Sequence, residues 1–177
     1  DDVIPVDEPP HGRRIGSTPG RVNPNLPRVN ATLRPFRSYA VGERSEYTRT
    51  VTAEDIDAFA RLSGDDNAIH LDQAFAARTR FGGRVAHGAL SFGFMAASQT
   101  RLVGAGVIWL DARVRFTAPV MIGDTVTATA EIVELVPDKR LLRLRCTARR
   151  GDGTVVMEGE STVKHLRELA EAPAPAR

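Results

Sequence analysis

A helix-length stretch that is apolar on nearly every side, followed by a series of alternating segments, constrains the fold of this chain most. From residue 87 to about residue 103 apolar residues fall on nearly every face of the predicted helix, and Gly88 and Gly93 allow close packing. A helix that is apolar all round is a buried helix. Apolar or β-branched residues then alternate with polar ones, and this period of two predicts four strands. The four segments are residues 107–120, 125–136, 140–149 and 154–163.

Short turns separate the last three of these predicted strands. Residues 137–139 (Pro-Asp-Lys) and 151–153 (Gly-Asp-Gly) leave room only for antiparallel hairpins. A further strand is predicted before the helices, over residues 47–51. An early strand, a buried helix and a meander together indicate an α+β architecture, in which an antiparallel sheet wraps around a long central helix. This is the outline of a hot-dog fold.

Charge and proline are concentrated at the start of the chain. Of the 177 residues, those from 1 to 49 hold eight arginines and six acids, while the remainder holds sixteen basic and sixteen acidic residues. Seven of the eleven prolines lie in residues 1–35, where apolar residues are too few to offset the entropy of ordering. We therefore predict a Pro/Arg-rich N-terminal extension over residues 1–35, a folded domain over 36–168 and a flexible tail over 169–177.

The composition excludes several classes of protein. The single cysteine, Cys146, can form neither an internal disulfide nor a cysteine-rich zinc site. No apolar run reaches the roughly 18 to 20 residues that cross a bilayer, and no leader is visible, so we expect a cytoplasmic protein without membrane insertion. A basic extension leaves nucleic-acid binding as an alternative, but nothing in the predicted folded part supports it, and we expect no nucleic-acid partner.

The densest polar segment lies between two predicted helices. Thr52 is placed to cap a first helix that stops at Gly64, and Asn67 is placed to cap a second helix through about residue 77. On one continuous helix, Asp65 and His70 would point about 140° apart, but a reversal between two helices can direct both into one cleft. A carboxylate and an imidazole so placed can handle one water molecule. The alternative is that the acids only cap helices and that the histidine is an ordinary surface residue.

Two separated motifs resemble those of the MaoC-like dehydratases, also called R-specific enoyl-CoA hydratases or hydratase 2. Residues 63–70 (SGDDNAIH) are similar to the family's Gly-Asp-x-Asn-Pro-aliphatic-His signature, and residues 85–90 (VAHGAL) to the aliphatic-x-His-Gly segment that opens its central helix. The resemblance runs from about residue 47 to residue 164. It includes residues 115–120 (RFTAPV) and the Gly-Asp pair at 123–124.

The resemblance implies a reaction and its residues. Asp65 and His70 match the catalytic aspartate and histidine, and Gly88 matches the glycine whose backbone N–H stabilises the oxyanion; Asn67, His87 and Ala89 are expected to bind substrate. The implied reaction is the reversible hydration of trans-2-enoyl thioesters to (3R)-hydroxyacyl thioesters in fatty-acyl metabolism. It needs no metal and no cofactor other than the CoA or phosphopantetheine that carries the substrate. Although His87 adjoins Gly88, a structural, neutral role for its imidazole fits the start of a helix better than a second base does.

The chain departs from the family pattern at two positions. Ala68 stands where the family usually has proline, which is favoured but not required at the first helical position. Ala96 stands where some members have a serine that supports the active site. This second difference keeps open a non-catalytic subunit that only binds acyl thioesters, and a 3-hydroxyacyl-ACP dehydratase of fatty-acid or polyketide synthesis is the other alternative. Because an open sheet edge favours pairing with a second copy, we expect a homodimer.

Overall fold

The structure, a computed structural model, describes residues 33–166. Residues 1–32 and 167–177, which include most of the predicted extension and all of the predicted tail, lie outside the described residues. Contacts with the folded domain begin before residue 36. Leu33 forms an isolated parallel bridge with Ala105, and the Arg34 guanidinium donates to the Leu102 carbonyl oxygen at 2.9 Å.

Residues 33–166 form five antiparallel strands, four α-helices and two short 3-10 helices (Phe36–Ser38 and Pro137–Lys139), and the predicted hot-dog class is confirmed. The strands are β1 (Arg44–Thr50), β2 (Val107–Phe116), β3 (Thr125–Val136), β4 (Leu141–Arg150) and β5 (Val155–His165). The helices are α1 (Ala53–Ser63), α2 (Ala68–Leu71), α3 (Gln73–Ala77) and α4 (Gly88–Val103). The sheet order is β1-β3-β4-β5-β2, which leaves β1 and β2 at its edges.

The long helix α4 packs against the face of the sheet formed by β1, β3 and β4. Met95 of α4 is fully buried, which stabilises the fold by roughly 1.5–3 kcal/mol. The alternation of β3 places Ala128 and Ala130 at buried positions between exposed or half-buried ones, and such small side chains let a helix approach the sheet closely. The prediction of a buried central helix is confirmed. None of the helices formed by residues 33–166 combines the length and the hydrophobicity needed to cross a membrane.

The second predicted helix is divided, so the prediction of one helix from Asn67 to about residue 77 is wrong. Asp72 separates α2 from α3 with an extended backbone (φ −104°, ψ 108°), and its carboxylate accepts a hydrogen bond from the backbone N–H of Phe75. A short acidic side chain competes with helical hydrogen bonds by capping the next turn. The polypeptide therefore turns a second time at Asp72, two residues after His70.

Strand β2 ends earlier than predicted, at Phe116 rather than at residue 120. Thr117 still donates its backbone N–H to the Val156 carbonyl oxygen of β5 at 3.0 Å, but Pro119 has no N–H to donate to a ladder, and residues 118–120 leave the sheet. Their path supports the segment before α4, because the backbone N–H of Ala86 donates to the Val120 carbonyl oxygen at 2.7 Å. Strand β1 starts at Arg44, three residues before the predicted position.

Candidate active site

The cap of α1 and its C-terminal turn determine where the polar segment begins. Thr52 and Asp55 form a reciprocal capping box at the N-terminus of α1. The helix ends at Gly64, whose left-handed backbone (φ 77°) suits glycine. The chain therefore changes direction immediately before Asp65.

The turn between α1 and α2 is closed by its own side chains. The backbone N–H of Asn67 donates to Asp65 Oδ1 at 3.4 Å, and Asn67 Oδ1 accepts from the backbone N–H of Ile69 at 3.3 Å. The predicted cap at Asn67 is confirmed. The reversal brings Asp65 and His70 into one cluster, and the Asp65 side chain remains about half exposed, at 52%.

The tautomer of neutral His70 follows from its hydrogen bond. His70 Nδ1 lies 2.7 Å from the carbonyl oxygen of Val85, the residue just before Ala86 and His87. A carbonyl oxygen only accepts, so Nδ1 must carry the hydrogen. The lone pair of neutral His70 is then on Nε2, which is the nitrogen that can take a proton.

Arg84 anchors the backbone of His70. The sequence analysis did not identify this residue. Its Nε donates to the His70 carbonyl oxygen at 2.5 Å, and its guanidinium also pairs with Asp57 of α1. The Arg84 side chain is only 14% exposed. Nothing in the pattern distinguishes this arginine from the other arginines of the chain, because its partners come from two separate helices.

His87, at the N-terminal end of α4, lies behind His70. Its ring is 1% exposed and stacks on the His70 ring with 3.9 Å between centroids and 30° between planes. His87 Nε2 lies 3.0 Å from the Asp65 carbonyl oxygen and 4.0 Å from Asp65 Oδ2. Because the carbonyl only accepts, Nε2 carries the hydrogen of neutral His87. Its Nδ1 is buried and has no hydrogen-bond partner among the described residues.

The cluster of Asp65, His70 and His87 offers three ligand atoms within 4.8 Å of one another. A metal ion must lie in the plane of each imidazole that binds it, about 2.1 Å from the nitrogen. Two stacked rings whose planes differ by only 30° do not share such a point. The donor set therefore fits proton transfer better than metal binding.

Gly88 begins α4 and lies against Phe116 at the end of β2. A Cβ atom added at Gly88 would lie 3.1 Å from the Phe116 ring, closer than an ordinary contact. No side chain caps this end of α4, and its first turn holds no acidic residue. The first N–H groups of a helix have no partner within the helix, and they carry the positive end of its dipole. The backbone at Gly88 can therefore bind a developing oxyanion.

The residues expected to bind substrate occupy three different environments. Ala89 is exposed in the first turn of α4, beside the half-buried Gly88. The carboxamide oxygen of Asn67 caps α2, and the residue is exposed. His87 is 1% exposed and lies behind His70, and its expected contact with substrate stays a prediction.

A cavity of about 190 Å³ lies between α4 and strands β2 and β5, and sequence analysis did not predict it. Its lining combines apolar residues, such as Ala96, Val107 and Val163, with the polar residues Gln99 and Thr100. Ala96 lies eight residues after Gly88, about 12 Å along the helix axis. Cys146, on β4, is buried, and burial raises the pKa of its thiol, so it is a poor nucleophile.

Comparison with known proteins places this arrangement in a family. The family model described as "MaoC like domain" matches residues 40–151. A 3-hydroxybutyryl-CoA dehydratase of Methylorubrum extorquens is 42% identical over 80% of this chain and 90% of the relative. An (R)-specific enoyl-CoA hydratase of Rhodospirillum rubrum is 43% identical over 74% and 91% of the respective chains. The solved structure of unliganded R-hydratase PhaJ1 from Pseudomonas aeruginosa has a TM-score of 0.71 at 36% identity, and the match covers 81% of this chain and 96% of that chain.

Proposed function

This chain belongs to the family of MaoC-like dehydratases, and we propose that it catalyses the reversible hydration of trans-2-enoyl-CoA to (3R)-hydroxyacyl-CoA. It is an enzyme of the hydro-lyase class. The observation that carries the proposal is the cluster of Asp65 and His70, whose ligand atoms lie within 4.8 Å of each other, together with the N-terminus of α4, which no side chain caps. The two relatives that are 42–43% identical are named for CoA substrates of this reaction.

Hydration adds water across the C2=C3 bond of the enoyl thioester. Asp65 and His70 orient one water, accept its proton as its oxygen bonds to C3, and deliver a proton to C2. The electrons of the double bond move onto the thioester oxygen, which becomes an enolate. The same groups act in reverse when a (3R)-hydroxyacyl thioester loses water.

The developing enolate requires a hydrogen-bond donor. The backbone N–H of Gly88 meets this requirement because the dipole of α4 adds to it and because glycine lets the thioester oxygen come close. The thioester carbonyl of the substrate is itself the electron acceptor, so we propose that no metal or redox cofactor takes part. The cavity beside Ala96 lies farther along the same helix, and its apolar lining residues, such as Val107 and Val163, offer room for the end of an acyl chain.

We also propose that the enzyme works as a homodimer. Strand β2 is an edge strand whose Trp109 and Phe116 are 38% and 55% exposed. Such an edge pairs readily with a second copy, and Phe116 adjoins Gly88 of the site. Sedimentation equilibrium of the purified chain should give twice the monomer mass, and a fully active monomer would contradict this part of the proposal.

The central test compares three variants in an assay that follows the loss of enoyl-thioester absorbance. Asp65→Asn and His70→Ala should each lower kcat by about 10²–10⁴-fold, the usual contribution of a general acid or base. Asp66→Asn is the matched control, because Asp66 is an exposed neighbour outside the cluster, and it should retain activity. Full activity in either of the first two variants rules out the proposed site.

The carrier and the catalytic role are tested with a substrate panel. The panel contains enoyl-CoA and enoyl-ACP thioesters of graded chain length. If the proposal is right, kcat/KM should be higher for the CoA thioesters than for the ACP thioesters. A strong preference for the carrier protein favours the 3-hydroxyacyl-ACP dehydratase instead. Tight binding of every thioester without turnover indicates a non-catalytic subunit.

A further inference from the structure

We propose that His87 is a positioning residue for the reaction, which holds the backbone at Asp65 and the ring of His70 in their working geometry. This inference rests on the proposed function, since it concerns the same cluster. It assigns His87 neither proton transfer nor contact with substrate. Its ring acts through two contacts, one made by an edge nitrogen and one made by a face.

The edge contact holds the polar turn. His87 Nε2 donates to the Asp65 carbonyl oxygen at 3.0 Å, and that oxygen belongs to the turn between α1 and α2. The Asp65 side chain is about half exposed, so the backbone bond restrains a carboxylate that solvent would otherwise leave mobile. A displacement of about 1 Å in a catalytic group can lower the rate by as much as about 10²-fold.

The face contact restrains His70. One face of the His87 ring stacks on His70 at 3.9 Å, and the Phe59 ring lies 5.0 Å from the His87 ring, tilted by 47°. The hydrogen bond from His70 Nδ1 to Val85 restrains one edge of His70, and the stack prevents the ring from rotating about that bond. Together the two contacts hold the His70 ring in its place within the cluster.

The unpartnered nitrogen of His87 indicates that the imidazole has a role other than filling space. His87 Nδ1 is buried without a hydrogen-bond partner among residues 33–166, and leaving a buried polar atom unpaired is costly. A phenyl ring would fill the same space without that cost. What phenylalanine cannot do is donate to the Asp65 carbonyl oxygen.

His165 provides a matched control within the same chain. It is also buried, its Nε2 lies 2.7 Å from a backbone carbonyl oxygen, that of Arg34, and its Nδ1 is also unpartnered. Its ring contacts Phe36 and Tyr39 rather than any residue of the cluster. If the role of His87 were purely structural, its substitution should therefore have the same kind of effect as substitution of His165.

The kinetic test uses His87→Phe, His87→Gln and His165→Phe in the full chain, with thermal unfolding measured for each variant. We expect His87→Phe to stay folded and to lower kcat by about 10- to 100-fold, with a much smaller change in KM. His87→Gln can place an N–H near the Asp65 carbonyl oxygen, so its kcat should be about fivefold higher than that of His87→Phe, which corresponds to one ordinary hydrogen bond. His165→Phe should change stability and leave kcat and KM unaltered. Unchanged kcat in His87→Phe, or an equal kcat loss in His165→Phe, overturns the proposal.

A spectroscopic measurement tests the geometry without using activity. In ¹⁵N-histidine-labelled protein at pH 8, two-bond ¹H–¹⁵N spectra should show His87 with its hydrogen on Nε2 and His70 with its hydrogen on Nδ1. The spectrum of His87→Phe should show altered ring signals for His70. Finding the hydrogen of His87 on Nδ1 overturns the inference. Activity that persists in Asp65→Asn and His70→Ala instead refutes the proposed function and leaves the tautomer result standing.

Discussion

His70 and His87 each donate a hydrogen bond to a backbone carbonyl oxygen in the motif that holds the other histidine. His70 Nδ1 bonds to Val85, which precedes α4, and His87 Nε2 bonds to Asp65, in the turn before α2. The two rings stack between these bonds. The two motifs, which lie some fifteen residues apart in the chain, are thereby joined through their own histidines, and neither can move without displacing the other.

Enlarging Gly88 should impair the proposed oxyanion site. In Gly88→Ala the new Cβ would lie 3.1 Å from the Phe116 ring, so the start of α4 or the ring must shift. We expect kcat/KM to fall by about 10- to 100-fold. Gly93→Ala is the control, because a Cβ there meets nothing within 4 Å; it should add about 0.5–1 kcal/mol of stability in urea unfolding. Equal activity of the two variants would contradict the role given to Gly88.

Filling the cavity beside Ala96 should restrict the acyl chain. The larger side chain in Ala96→Leu would occupy part of the 190 Å³ space between α4 and the sheet. We expect kcat/KM to fall for long-chain enoyl-CoA and to stay near the wild-type value for the four-carbon substrate. A uniform fall over all chain lengths would indicate damage to the fold instead. The measurement is the ratio of kcat/KM values across a chain-length series.

The ion pair at the start of α1 should make stability depend on pH in the acid range. Hydrogen bonds from Arg49, aided by the backbone N–H of Thr52, lower the pKa of Asp55 below its ordinary value. A lowered pKa in the folded state stabilises the protein above the unfolded pKa, near pH 4, and this stability is lost as pH falls through the folded pKa. Wild type should therefore exceed Asp55→Asn in urea stability at pH 6, and the difference should shrink below about pH 4. A difference independent of pH would contradict this origin.

Cys146 should be inert in the native protein. Its thiol is 1% exposed, and burial raises its pKa, so little thiolate is available for reaction. We expect no reaction with a thiol reagent such as DTNB until the protein is unfolded by urea, after which one thiol should be released per chain. Cys146→Ala should retain kcat. Rapid labelling of native enzyme would show that β4 opens more readily than its burial implies.

Local pattern was sufficient for most of the fold. The period of two in the last third of the chain predicted three hairpin-connected strands, because only one face of that sheet is buried. The apolar stretch before it predicted the central helix, because α4 is covered along most of its length. The main wrong prediction was one continuous helix across Asp72. A local side-chain cap competed there with continuation of the helix, and periodicity alone does not indicate which of the two prevails.

The sequence by itself determined the family of the chain, because two short motifs carry the resemblance, and through that resemblance it predicts Asp65, His70 and the Gly88 backbone as the reacting groups. Only the tertiary structure decided how these groups are held. The tautomers of His70 and His87 depend on carbonyl oxygens of distant segments, the anchoring of His70 depends on Arg84 and Asp57, and the closeness of Gly88 to Phe116 depends on where β2 ends. The physical reason is that hydrogen-bond direction and ring stacking are properties of segments brought together by folding, and no local pattern encodes them.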